Sequence, residues 1–197
     1  MTVCQIQRNN AEERIKKLLG KKPSKKRETE TGEEIEKIDI EVLAKDELAK
    51  YIERKFKGHG LARLVDEVLK AQGYTTKVSP PGPDGGVDIL ASSGTLGFDD
   101  PRICVQVKSQ ASLVDTPTLG RLKGSMRDVN AQQGLLVSWS GFNRKVEPEV
   151  RRDFFTIRLW DSGQLLEQIF KYYDKFDDEI KAELPLKRIW ALVLEEE

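Results

Sequence analysis

Pro83-Asp84-Gly85-Gly86-Val87-Asp88-Ile89-Leu90 and Ile103-Cys104-Val105-Gln106-Val107-Lys108 decide the reading of this chain. Each sets polar or charged side chains inside a run that otherwise has the pattern of a buried β-strand. Successive side chains on a strand point to opposite faces. In the second run Ile103, Val105 and Val107 therefore share one face, and Cys104, Gln106 and Lys108 share the other. Gln106 and Lys108 become neighbours about 7 Å apart at their Cα atoms. In the first run Val87, Ile89 and Ala91 take one face and leave Asp88 and Leu90 on the other. A carboxylate or ammonium left unpaired in such surroundings is strongly destabilising, so something must compensate it. If the two strands pair, Asp88 lies beside Gln106, and a carboxylate, an amide oxygen and an ammonium converge on one spot.

Further strands are expected at Tyr74–Val78, Gly134–Trp139 and Thr156–Trp160, the second of them apolar enough to be covered on both faces. Helical spacing relates Val42, Leu43, Leu48, Tyr51, Ile52 and Phe56, and this helix breaks at Gly58 and Gly60. A second helix carries Leu61, Leu64, Val65, Val68 and Leu69 and ends at Gly73. Later helices are expected over Thr116–Val129, over Arg144–Asp153, and from an Asp161-Ser162 cap through Phe170. Early consecutive strands predict a meander, and the later alternation predicts crossovers, hence an α/β fold with a mixed central sheet.

The chain has 197 residues, 38% hydrophobic and 34% charged, with a formal net charge of zero. That suits a soluble globular domain with an appendage, and any polyanion-binding surface must come from segregated charge. Segregation is visible: eight Lys or Arg and no acid from Arg14 to Arg27, then seven acids against Lys37 alone from Glu28 to Glu41. Residues 1–37 are therefore expected to be a flexible charged segment, either a solvated tail, a phosphate-binding arm or a remnant of a recognition domain. Residues 38–57 form an N-terminal helix, 58–172 the main domain and 173–197 a helical extension that packs on it or on a second copy. No run has the apolar length of a membrane span, and Cys4 and Cys104 make no disulfide framework, so a cytoplasmic setting is expected.

The convergent groups suit phosphodiester hydrolysis. Mg²⁺ takes oxygen ligands, often one or two carboxylates with waters and substrate phosphate. Asp88 would supply the anionic oxygen and Gln106 a neutral one. Lys108 would orient the attacking water or stabilise charge on the phosphate oxygens.

Asp88 followed by Gln106-x-Lys108 resembles the PD-(D/E)xK nuclease superfamily in its Gln-x-Lys form. Leu64-Val65, Gly73-Tyr74, Asp84-Gly85-Gly86-Val87-Asp88, Gly134-Leu135-Leu136-Val137, Ser140-Gly141-Phe142 and Leu159-Trp160-Asp161 extend the likeness to the Mrr-like restriction endonucleases. The likeness covers about residues 58 to 170. It implies a restriction-endonuclease-like three-layer α/β/α fold, Mg²⁺ dependence with Mn²⁺ as a substitute, and cleavage of double-stranded DNA, often modified. It also implies Asp88, Gln106 and Lys108 as catalytic residues, and Asp88, Gln106 and the Val107 carbonyl as metal ligands. Ser109, Gln110 and Asp84 are candidate DNA contacts, although Asp84 lies in a strong turn signal. Arg121, Lys123, Arg127, Arg144, Lys145, Arg151 and Arg152 are candidate phosphate contacts that solvated helix faces explain equally well. Cutting both strands takes two sites, so a homodimer is expected.

Two departures stand out. The family's usual Glu on the first helix falls at Ala62, and His59, three residues earlier on roughly the same face, is its candidate substitute or else a cap. Glu67 is nearby but points elsewhere on the helix. The N-terminal segment shows no recognisable DNA-recognition domain. The rival readings are a repair or recombination nuclease on this fold, a noncatalytic DNA-binding module with a decayed site, and a partner-binding scaffold.

Overall fold

The computed structural model describes residues 40–82 and 85–189. The expectations for residues 1–37, for Asp84 and for residues from Trp190 onward lie outside them. Helix α1, Ile40–Lys55, buries Leu48 and Ile52, and α2, His59–Ala71, follows. Of the two glycines expected to separate them, Gly58 is the N-cap of α2, whereas Gly60 lies inside its first turn. Then come β1, Thr75–Val78, β2, Ile89–Ser93, and β3, Asp99–Lys108. Helix α3, Thr116–Asp128, starts on the Asp115 side chain, which accepts the Thr118 N–H. β4, Gln133–Ser138, α4, Val146–Arg152, and β5, Ile157–Trp160, complete the alternation. Helix α5, Ser162–Tyr172, opens with a capping box in which Asp161 and Gln164 satisfy each other's backbone N–H. In the stretch expected as a helical extension, a 3-10 turn at Tyr173–Lys175 and α6, Asp178–Glu183, precede irregular chain at 185–189.

The sheet has the order β1-β2-β3-β4-β5. β1, β2 and β3 form an antiparallel meander; β3, β4 and β5 run parallel, joined by the α3 and α4 crossovers. The sheet is mixed, as the spacing of strands and helices predicts, and helices cover both faces. On one face Ile89, Ala91, Ile103, Val105, Val107, Leu135 and Val137 join a core with α1, α2, α5 and α6. On the other, Cys104 and Leu136 meet Leu119, Leu122 and Met126 of α3 and Val146 of α4. The packing is close where β4 begins: a Cβ at Gly134 would stand 2.6 Å from the Met126 sulfur and 3.2 Å from Leu122 Cδ2, so a larger residue requires α3 side chains to move.

Some boundaries differ from expectation. β2 begins at Ile89, two residues after the expected Val87. The Val87 carbonyl accepts the Ser79 hydroxyl at 2.5 Å and is satisfied outside the ladder, whereas the Ser79 N–H bond to the Asp88 carbonyl at 2.8 Å continues the β1–β2 register by one pair. β3 extends back to Asp99, because Ser93 pairs with Asp99 past an irregularity in the hairpin. Near the C-terminal end Leu184 is buried in the core and Leu186 packs against it, while Ile189 is exposed.

Candidate active site

The expected alternation along β3 is present. Val105 and Val107 face the α2 side, Cys104 the α3 side, and Gln106 between the two valines is 2% exposed. Antiparallel pairing of Ile89 with Val105, continued by one residue, sets Asp88 level with Gln106. The chain is already leaving the ladder there. The Asp88 N–H still donates to the Val105 carbonyl at 2.9 Å, but the next β3 donor, the Val107 N–H, goes to the Asp88 carboxylate at 2.8 Å. The side chain thus takes the place of a backbone acceptor and fixes the carboxylate at the open end of the β2–β3 seam. A strand residue's N–H and C=O point to the same side, so the Val107 carbonyl faces the Asp88 edge. The Lys108 carbonyl, one residue on, accepts the Trp139 N–H across the β4 edge at 3.0 Å.

The turn ahead of Asp88 is fastened to α3. The Ser125 hydroxyl donates to the Gly85 carbonyl at 3.0 Å, and both Gly85 and Gly86 have positive φ. A Cβ at Gly86 would lie 2.9 Å from the Gln106 amide nitrogen. Glycine there allows the turn to close over Gln106 and bring Asp88 to it. Beneath this turn the Gln106 amide oxygen is buried and accepts no hydrogen bond. A buried amide oxygen without a donor is an acceptor waiting for one, or for a cation.

Those residues fit a hard cation of low ligand demand. The oxygens on offer are the Asp88 carboxylate, the Gln106 amide oxygen and the Val107 carbonyl, the type that Mg²⁺ prefers. Among the described residues no three His, Cys, Asp or Glu side chains gather as a metal cluster. Cys104 lies beside these oxygens on β3. Its burial, and then the nearby Asp88 charge, push the thiol up to about 11, so it stays protonated at neutral pH.

The remaining candidates divide. Lys108 is half-buried at the end of β3. Ser109 and Gln110 are exposed, with the Ser109 hydroxyl accepting the Gly58 N–H at 3.1 Å and the Gln110 carbonyl accepting the Ser140 hydroxyl at 2.5 Å. Lys123 is paired with Asp153 at 2.6 Å, and the Arg121 guanidinium donates to the Thr118 hydroxyl at 2.7 Å. Ala62 is buried in the α2 core, and His59 stands at the first position of α2 with its Nε2 2.9 Å from the Ser79 carbonyl oxygen. Glu67 is buried and accepts the Asp177 N–H at 2.6 Å, tying α2 to the start of α6. Ser79 and Ser125 have positions in the site that sequence reasoning did not assign. A serine between a strand and a Pro-Pro-Gly turn, or midway along a helix, carries no signal of its own.

Solved proteins resemble this chain to different degrees. The DNA modification-dependent restriction endonuclease AspBHI superposes with a TM-score of 0.57 at 16% identity, over 82% of this chain and 43% of that one. The MspJI restriction endonuclease, solved in complex with a 27-mer oligonucleotide, gives a TM-score of 0.49 at 22% identity, over 74% of this chain and 36% of that one. The chain thus spans less than half the length of either. No curated protein matches it in sequence. The AspBHI superposition supports the restriction-endonuclease-like α/β fold alone; the sequence goes further. Residues 53–169, which hold α2, the whole sheet and the Asp88 and Gln106-x-Lys108 positions, match the Mrr_cat restriction endonuclease family, and to that family the chain belongs.

Proposed function

We propose that the chain is a Mg²⁺-dependent endodeoxyribonuclease domain of type II or type IV character. It hydrolyses phosphodiester bonds of double-stranded DNA in the restriction of foreign or modified DNA. The buried Gln106 oxygen beside the Asp88 turn carries this reading, because it is an acceptor to which no protein donor is bonded. Mg²⁺, for which Mn²⁺ can substitute, supplies Lewis-acid polarisation of the phosphate and a lowered pKa for an attacking water.

The chain's own groups do the rest. Asp88, Gln106 and the Val107 carbonyl hold the cation. Lys108, on the Gln106 face of β3, sets its ammonium against charge growing on the phosphate oxygens. Ser109 and Gln110 continue from the site strand along the exposed surface, where a sugar-phosphate backbone passes. A homodimer would put one such centre on each DNA strand.

Plasmid nicking with Mg²⁺ or Mn²⁺ tests the reading, with Asp88→Ala and Lys108→Ala as controls. Wild-type cleavage that both substitutions abolish supports it. Intact plasmid in all three, with equal DNA binding, leaves a noncatalytic module instead. Rates on methylated, unmodified and branched duplexes separate restriction from repair: preference for the branched substrate would sink the restriction role.

A further inference from the structure

We propose that His59 is a positioning residue: acting through Ser79, it fixes the turn from which the Asp88 carboxylate leaves the sheet. The proposal rests on the reading of Asp88 as the anionic metal ligand. It assigns His59 a part different from the catalytic one that its place near the family's missing glutamate invites.

The bonding dictates this. A carbonyl oxygen only accepts, so the His59 Nε2 that meets the Ser79 carbonyl at 2.9 Å carries a proton. Imidazole and imidazolium both donate from that nitrogen, so the bond survives in either state. Ser79 then passes the restraint on through both of its donors. Its N–H reaches the Asp88 carbonyl and its hydroxyl reaches the Val87 carbonyl. One residue therefore joins the first residue of α2 to the two residues that precede β2.

The anchor is stiff. α2 is embedded through Leu61, Leu64, Val65 and Val68, each at most 1% exposed. The segment it restrains follows Gly82, Gly85 and Gly86, all at positive φ, and precedes the first β2–β3 pair. Glycines at positive φ ahead of Asp88 have more backbone freedom to lose than other residues. A metal ligand placed there needs support from outside its own strand, as outer-shell partners give ligands elsewhere. Ser125 supplies a second fastening from the opposite face of the sheet, at Gly85.

The test uses the full chain with His59→Gln, His59→Ala, Ser79→Ala, Ser79→Thr and the double alanine variant. Each is checked for folding by thermal melting. Nicking is measured across a Mg²⁺ series, and duplex binding without Mg²⁺. Glutamine keeps an N–H donor but has no basic nitrogen. His59→Gln should hold wild-type rate and pH profile, and Ser79→Thr should hold wild-type rate. His59→Ala and Ser79→Ala should each need about tenfold more Mg²⁺ for half-maximal cleavage, with duplex binding unchanged, and the double variant should be no worse than either. A His59→Gln enzyme as inactive as His59→Ala would overturn the proposal, because the ring would then act directly. So would an unchanged Mg²⁺ midpoint in His59→Ala. Should the wild type cleave nothing, the nuclease reading fails separately. The strut is then judged by amide exchange at Gly86–Ile89, which must accelerate in both alanine variants and not in His59→Gln.

Discussion

The two faces of β3 are built by different rules, although they alternate along one backbone. The α2 face is a run of valines and isoleucine sealed among apolar neighbours, with Val105 wholly buried. The α3 face holds a thiol, an amide and an ammonium, and one of its buried atoms has no partner. The first face holds apolar side chains that burial stabilises. The second carries a polar group that costs free energy in the isolated fold. A strand can hold both because the pleat keeps their demands apart.

Substitutions can break or sharpen that contrast. The largest effect is expected on the α3 side: Lys108→Ala should lower cleavage by about a hundredfold or more while leaving the melting temperature nearly unchanged, as paired nicking and melting assays will read. Val105→Ala should do the reverse. It should cost about 2 kcal/mol of stability in urea unfolding, with the folded fraction still cutting DNA. Loss of cleavage with full stability in Val105→Ala would erase the distinction between the faces.

Gln106→Met goes between these. It removes the unpartnered oxygen at similar volume, so it should raise stability by about 1 kcal/mol and abolish cleavage. The smallest effect concerns Glu67, the buried acid of α2. Burial holds its carboxyl above the usual range, against the pull of the Asp177 N–H toward the ionised form. A raised native pKa means that the folded chain binds this proton more tightly than the unfolded chain does. Its contribution to stability is therefore present at low pH and is lost as pH rises through the native value. Melting temperatures of wild type and Glu67→Gln, compared at about pH 5 and about pH 7, should shift in favour of wild type at the lower pH.

Much of this contrast is legible in the residues alone. Period-two alternation assigns the β3 faces, and the Asp161-Ser162 pair announces the start of α5, because both signals are local. The late start of β2 is not legible. There the Ser79 hydroxyl, eight residues before Val87, takes the Val87 carbonyl, and nothing in Ser79-Pro80-Pro81-Gly82 marks it for that purpose. The Ser125 bond to Gly85 spans 40 positions and is equally silent. His59 shows the intermediate case. Its neighbourhood could be read from the spacing to Ala62 and Gly73, but its bonding partner could not. Residue types that carry chemistry announce themselves; the small residues that aim them do so only in three dimensions.

The outer strands β1 and β5 are only four residues each. A row so brief offers an incoming polypeptide few main-chain partners, which blunts runaway edge-to-edge stacking. Copies of this molecule that associate must then recognise each other through side-chain surfaces, where charge and shape discriminate, rather than by zipping their sheets into one.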